Sequence, residues 1–182
     1  MSLQTLPLSK IRMDGDTQPR ESINQEVVND YAVAMRDGAA FPPVQIYHDG
    51  ANYWLVDGFH RLHAARKAER TEIPAIVITG VQAEAQWASL AANKTHGLRR
   101  TNADKAKAVR KALRLKPGTS DRAIAEHVGV NNATVSQYRR LASERPPQSR
   151  VENQHVNHRT GRDGKAYDVS KIQSRARKRR EF

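Results

Sequence analysis

The chain has 182 residues, 38% of them hydrophobic, so its core is thin for its length, and it contains no run of apolar residues long enough to span a membrane. With no cysteine it has no disulfide framework, no thiolate nucleophile and no cysteine zinc site, and the N-terminus MSLQTLPLSK lacks the apolar core of a secretion signal. These features predict a cytoplasmic protein. Thirty-one Lys and Arg against nineteen Asp and Glu leave a net charge of +12, distributed as −2 over residues 1–80, +7 over 81–144 and +7 over 145–182. The C-terminal half therefore predicts a polyanionic partner, of which double-stranded DNA is the natural candidate inside a cell.

Residues 1–80 predict a small α/β domain. Leu6, Leu8 and Ile11 form a short apolar stretch that suits an edge strand. Thr17-Gln18-Pro19-Arg20 interrupts regular structure, since Pro19 disfavours the helical region for the residue before it. From Ser22 the spacing of Ile23, Val27, Tyr31 and Met35 predicts a helix that Gly38 closes. Val44–Tyr47 and Tyr53–Val56, separated by a turn at residues 48–52, predict a hairpin. Residues 57–68 read as a glycine-headed helix, and Ile73–Ile78 as a further strand.

Residues 81–145 predict an all-helical domain. A helix over Val81–Asn93 has Trp87 and Leu90 on its inner face. The next is capped by Thr101 or Asn102 and carries a stripe of Ala106, Val109, Ala112 and Leu113. Thr119 or Ser120 caps another helix, ended at Gly129, and Asn131 or Asn132 opens the last, to about Leu141. Residues 146–182, rich in Arg, Asn, Gln and Ser, read as a basic, largely disordered tail in which Thr160–Tyr167 suits an isolated turn or hairpin.

The strongest motif is Ser120–Ala142. Ile124 and the small Ala125 suit the inner face of one helix, Gly129 a positive-φ turn, and Val135 with Tyr138 or Leu141 the anchor of the next. That arrangement leaves Asn131, Asn132, Thr134, Ser136, Gln137 and Arg139 facing outward. Asn and Gln pair bidentately with adenine, Arg with guanine, and Ser or Thr with bases or phosphates. The segment resembles the helix-turn-helix of bacterial regulators, S-x-R-x-I-A-x-x-x-G-V-x-x-x-T-V-S, and meets every fixed position of that pattern. The resemblance implies DNA contacts from Ser120, Arg122 and Arg140 as well. Arg175, Arg177, Lys178, Arg179 and Arg180, five cations in six residues, suit a grip on the phosphate backbone.

In the first domain, Asp57-Gly58 ends a strand and opens a helix, so the N–H groups of Phe59, His60 and Arg61 converge at a positive helix terminus. Two readings are open from the residues alone. Arg20 and Arg61 either hold a bound phosphate, or His60 and Arg61 stabilise a tight strand-to-helix turn. The order and spacing of LPLSKIRMDGDTQPR, FPPVQIY, YWLVDGFHRLHAARKA and EIPAIVI resemble the ParB/sulfiredoxin-like family over roughly residues 5–80. This resemblance implies a nucleotide pocket for CTP or ATP, with Thr17, Gln18 and Arg20 from one box and Gly58, Phe59, His60 and Arg61 from a second. A third box would supply Asn93 with Arg99 or Arg100. Phe59 and His60 replace the acid and first arginine of the family's G-E-R-R box, and Ala92 stands where a metal-binding glutamate is usual. Nucleotide binding is accordingly expected to be weak and only slightly magnesium-dependent.

The absence of cysteine excludes sulfiredoxin chemistry, and no residue stands out as a catalytic base or metal ligand. The pairs His60/His63 and His155/His158 each supply at most half a metal site. The expected function is sequence-specific DNA binding in transcriptional regulation or in plasmid or chromosome partition, with nucleotide gating implied by the family, no membrane association, and a homodimer compatible with it. The alternative class is a small nucleotide-dependent enzyme, a kinase, NTPase or nuclease, acting through Gly58–Arg61.

Overall fold

The computed structural model describes residues 1–92, 98–144 and 158–169. The chain forms two compact units, Met1–Asp104 and Lys105–Phe182. In the first, strands β1 (Ser2–Pro7), β2 (Ile11–Arg12), β3 (Val44–His48), β4 (Tyr53–Asp57) and β5 (Glu72–Thr79) form one sheet in the order β1-β5-β3-β4-β2. A short 3-10 turn at Leu8–Lys10 carries the chain from one sheet edge to the other. β5 runs antiparallel to β1 and parallel to β3, while β3 and β4 form the expected hairpin. Its turn is set by Asp49, whose Oδ1 accepts from the Ala51 and Asn52 amides at 2.9 and 2.7 Å.

The sheet is covered on both faces, and β4 shows why three consecutive residues are buried. Leu55 points toward helices α1 (Gln25–Arg36) and α2 (Phe59–Lys67), joining Val28, Ala32, Met35 and Leu62. Trp54 and Val56 alternate to the opposite face, where Ala85 of α3 (Gln82–Ala91) packs on them. This packing moves the expected boundary. α3 completes the second layer of the α/β unit, so the division falls after Asp104 rather than at residue 80. The stripe of α1 is also displaced: the buried residues are Val28, Ala32 and Met35, while Val27 and Tyr31 lie half-buried beside it. α1 starts at Gln25, with Asn24 as its cap, because the Asn24 side chain accepts from the Glu26 and Val27 amides.

The second unit contains most of α4 (Asn102–Leu115), then α5 (Asp121–Val128) and α6 (Asn132–Glu144). Its buried residues include Val109, Ala112, Ile124, Ala125, Val128 and Val135. The α4 stripe and the α5 inner face match expectation; of the two alternatives for a second anchor of α6 beside Val135, Tyr138 is half-buried and Leu141 exposed. Ser120 caps α5 through its hydroxyl, and Gly129 ends it in the left-handed region at φ 76°. Strands β6 (His158–Thr160) and β7 (Ala166–Asp168) pair antiparallel. This hairpin is not isolated: Thr160 donates to the Gly118 carbonyl at 2.8 Å and accepts from the Ser120 amide at 2.9 Å. Among the described residues no helix is long and apolar enough to cross a membrane.

Candidate functional site

Two regions carry the residues that the sequence singles out, one in each unit. In the α/β unit, residues 18–20 and the head of α2 line a common cleft of about 420 Å³. Gly58 occupies the N-cap of α2 at φ 99° and offers no side-chain acceptor to the first turn. A Cβ there would lie 2.6 Å from a Val44 methyl carbon, so backbone conformation and packing both require glycine.

The two arginines are engaged within the protein. The Arg61 guanidinium donates to the Pro42 and Pro43 carbonyls at 2.6 and 2.9 Å and pairs with Asp57 at 2.8 Å. It ties the loop before β3 to the strand-to-helix turn, so at the cleft wall its guanidinium is already engaged by protein acceptors. Arg20, only 7% exposed, donates to the Leu98 and Arg99 carbonyls and lies 3.4 Å from Asp104. Gln18 accepts from the Arg20 amide at 3.1 Å and so shapes its own turn. Thr17 is fully buried with its hydroxyl unpaired among the described residues, and it does not line the cleft.

The rest of the predicted pocket is divided in the same way. Phe59 is buried in the core beneath the cleft. His60 Nε2 accepts from the Asn24 amide at 3.2 Å, linking α2 to the start of α1. Burial, reinforced by the charge of Arg20, holds the His60 pKa below its ordinary value and favours that neutral acceptor. Arg100 is 8% exposed and donates to the Leu90 carbonyl at 3.0 Å, capping the end of α3. Arg99 is exposed and contributes only its carbonyl to the Arg20 cluster, and Asn93 lies outside the described residues. Arg20 and Arg61, expected to hold a phosphate, and Arg100, an alternative to Arg99 in the third box, each satisfy protein carbonyls or carboxylates instead.

Sequence reasoning missed Asp104. Its carboxylate accepts from the Glu21 and Thr101 amides, both at 2.9 Å, while the Thr101 hydroxyl accepts from the Asp104 amide at 3.1 Å. Thr101-Asn-Ala-Asp104 is a capping box, a signal present in the sequence. Burial, the largest influence, pushes the Asp104 pKa up, but those hydrogen bonds and Arg20 together hold it below the ordinary value. Among the described residues no three His, Cys, Asp or Glu side chains gather to hold a metal ion.

In the second unit, α6 presents two distinct faces. Val135 is buried, and Arg139 lies one turn further along the same face. Its guanidinium donates to Asp121 at 2.6 Å and to the Pro117 and Thr119 carbonyls at 2.8 and 2.7 Å. Arg139 thus clamps α6 to the start of α5, correcting the expectation that it faces outward. Asn132, Ser136, Gln137 and Arg140 occupy the exposed face, Asn131 is exposed at its head, and Thr134 is half-buried. Asn131 caps α6 by accepting from the Ala133 amide, and Ser136 donates to Asp121. Arg122 is exposed on the first turn of α5. Arg175, Arg177, Lys178, Arg179 and Arg180 lie outside the described residues.

The covered five-stranded mixed sheet and its glycine-headed helix define a mixed α/β fold rather than a parallel doubly wound one. Residues 1–94 match the ParB N-terminal domain model, and the chain belongs to that family. It is 34% identical over 121 residues to a "Streptomycin biosynthesis operon possible regulatory protein" of Streptomyces griseus, covering 66% of this chain and 33% of that one. It is 31% identical over 146 residues to the chromosome-partitioning protein Spo0J of Thermus thermophilus, covering 79% and 52%. The chain thus spans a third of the first relative and about half of the second. C-terminally truncated ParB from Caulobacter crescentus, complexed to the centromeric parS site, is similar at TM-score 0.53 and 18% identity, covering 80% of this chain and 74% of that one. The same protein complexed with CTP-gamma-S gives TM-score 0.45 and 19% identity, covering 81% and 82%. At 18% identity the parS complex speaks to fold alone.

Proposed function

We propose that this chain is a ParB-like, sequence-specific binder of double-stranded DNA, acting in transcriptional regulation or partition, with α5–α6 as its helix-turn-helix. The carrying observation is the polar surface of α6: Asn132, Ser136, Gln137 and Arg140 are exposed, while Val135 is buried and Arg139 turns onto the start of α5. Such a second helix enters the major groove and reads base edges from its N-terminal turns. Arg122 and the Ser120 cap suit the flanking phosphates, and the cations at Arg175–Arg180 extend the backbone grip. The relatives, a possible operon regulator and a partition protein, support both physiological settings and do not choose between them.

A nucleotide fits the α/β cleft poorly. The uncapped first turn of α2 suits one anionic group, but Arg20 and Arg61 are committed to protein acceptors, and Ala92 replaces an acid. The cleft's walls combine apolar Val27, Tyr31 and Phe41 with polar Gln18, Gln45 and His60, and its carboxylate Asp57 opposes a triphosphate. We assign no nucleotide step, and no enzymatic one.

Selection of duplexes by the full chain from a random pool, followed by footprinting, tests the DNA reading. Gln137→Ala should weaken the selected site by about 1–3 kcal/mol and leave non-specific binding unchanged. An equal loss on both kinds of DNA, or none on either, removes α6 as the reader.

A further inference from the structure

We propose that the β6–β7 hairpin is a second DNA-contacting element, a cationic wing that grips the phosphate backbone beside the helix pair. This inference rests on the DNA-binding reading of α5–α6 and adds a surface outside it. A hairpin with three residues in each strand is too short to be stable alone. Here it is extended by a third segment: Thr160 bridges Thr119, and both polar backbone groups of Thr160 are bonded to the chain just ahead of α5. Arg159 lies 3.7 Å from the Asp121 carboxylate that also holds Arg139. The hairpin is thereby anchored to the same carboxylate that fixes α6.

Its position gives it a partner. A groove of about 990 Å³ lies at the hairpin and the N-terminal ends of both helices, lined by Asp121, Arg122 and Asn132 from the helices and by Arg159, Arg162 and Asp163 from the hairpin. In a helix-turn-helix complex those helix ends lie closest to the DNA, so a hairpin beside them meets the neighbouring stretch of backbone. The tip, Gly161–Lys165, carries Arg162 and Lys165, both exposed. Arg162 is 64% exposed and pairs with a 53% exposed Glu126 at 3.4 Å. A pair so open to water contributes little, and a phosphate offers the guanidinium a stronger bidentate partner. The tip's one carboxylate, Asp163, is exposed and accepts from the Tyr167 hydroxyl and the Lys165 amide, so Arg162 and Lys165 outnumber it at the tip.

The test uses the full chain and a duplex it selects from a random pool, titrated over a range of salt. In Arg162→Ala/Lys165→Ala, the log–log salt slope should shrink by about 0.9 per lost phosphate contact, about 1.8 in total. Affinity for the selected duplex and for a scrambled one should fall by the same factor. Phosphate-ethylation interference should vanish at one edge of the footprint and persist at its centre. Glu126→Gln, which frees Arg162 of its carboxylate, should move affinity the opposite way, and that gain should disappear when Arg162→Ala is added, so the proposal stays testable if the double variant misfolds. An unchanged slope and footprint in the double variant, with the Gln137→Ala defect intact, overturns the wing and leaves the reading helix standing. Failure of the wild type to select or protect any duplex overturns both.

Discussion

Replacing Arg139 by alanine separates two accounts of one residue. If the guanidinium reads DNA, its loss weakens specific binding and leaves stability alone. In the structure it makes three hydrogen bonds, to Asp121, Pro117 and Thr119, with the Arg139 and Asp121 side chains only 19% and 18% exposed. Hydrogen bonds from a charged donor contribute about 1.5–3 kcal/mol each when removed from water. The simple sum overstates the loss, since water reaches part of the vacated space and Asp121 keeps Ser136 and Arg159. A net loss of about 2–3 kcal/mol follows, more than an exposed pair gives and less than a fully buried one. For a domain of 60–100 residues, each kcal/mol shifts Tm by roughly 4–8 °C, so the transition carrying α5 and α6 should fall by about 10–20 °C. Circular dichroism melts read this directly. Asp121→Asn should be destabilising as well, and the double variant should show a coupling above about 0.5 kcal/mol. Below both melts, the ratio of specific to non-specific DNA affinity should match the wild type. An unshifted melt combined with lost specificity would show that Arg139 faces DNA after all.

Gly58→Ala forces a left-handed conformation on a residue with a side chain and sets a new carbon 2.6 Å from Val44; conformation and overpacking together should destabilise by roughly 2–5 kcal/mol, read as a lower urea midpoint, and a midpoint within error of wild type contradicts this geometry. Acidification should remove stability on two limbs. His60 has a folded pKa below its ordinary 6.5, so its contribution is complete above that value and disappears as pH falls through the lower folded value; His60→Gln should flatten this limb. Asp104, also depressed, stabilises fully above its ordinary 3.8 and loses its contribution as pH falls through its folded value, and Asp104→Asn should flatten that second limb. Urea midpoints across pH measure both, and either variant retaining its limb refutes the assignment.

Local signals decided much of this protein before any tertiary contact. The β3–β4 hairpin follows from two β-rich runs around Asp49 and Gly50, and the α5–α6 pair from a cap, a small residue and a left-handed glycine at fixed spacing. The charge division between the two halves is likewise a property of composition alone. The tertiary structure decided where the arginines point. Arg20, Arg61, Arg100 and Arg139 all look like free cations in a sequence, yet each satisfies carbonyls or carboxylates; Arg20 reaches Asp104 from 84 residues away. It also decided that α3 belongs to the α/β unit, because the second face of the sheet has to be covered and only chain folding shows what covers it. A long flexible cation takes its role from whichever acceptors the fold leaves unsatisfied within reach, and many of those are backbone carbonyls that no side-chain pattern encodes.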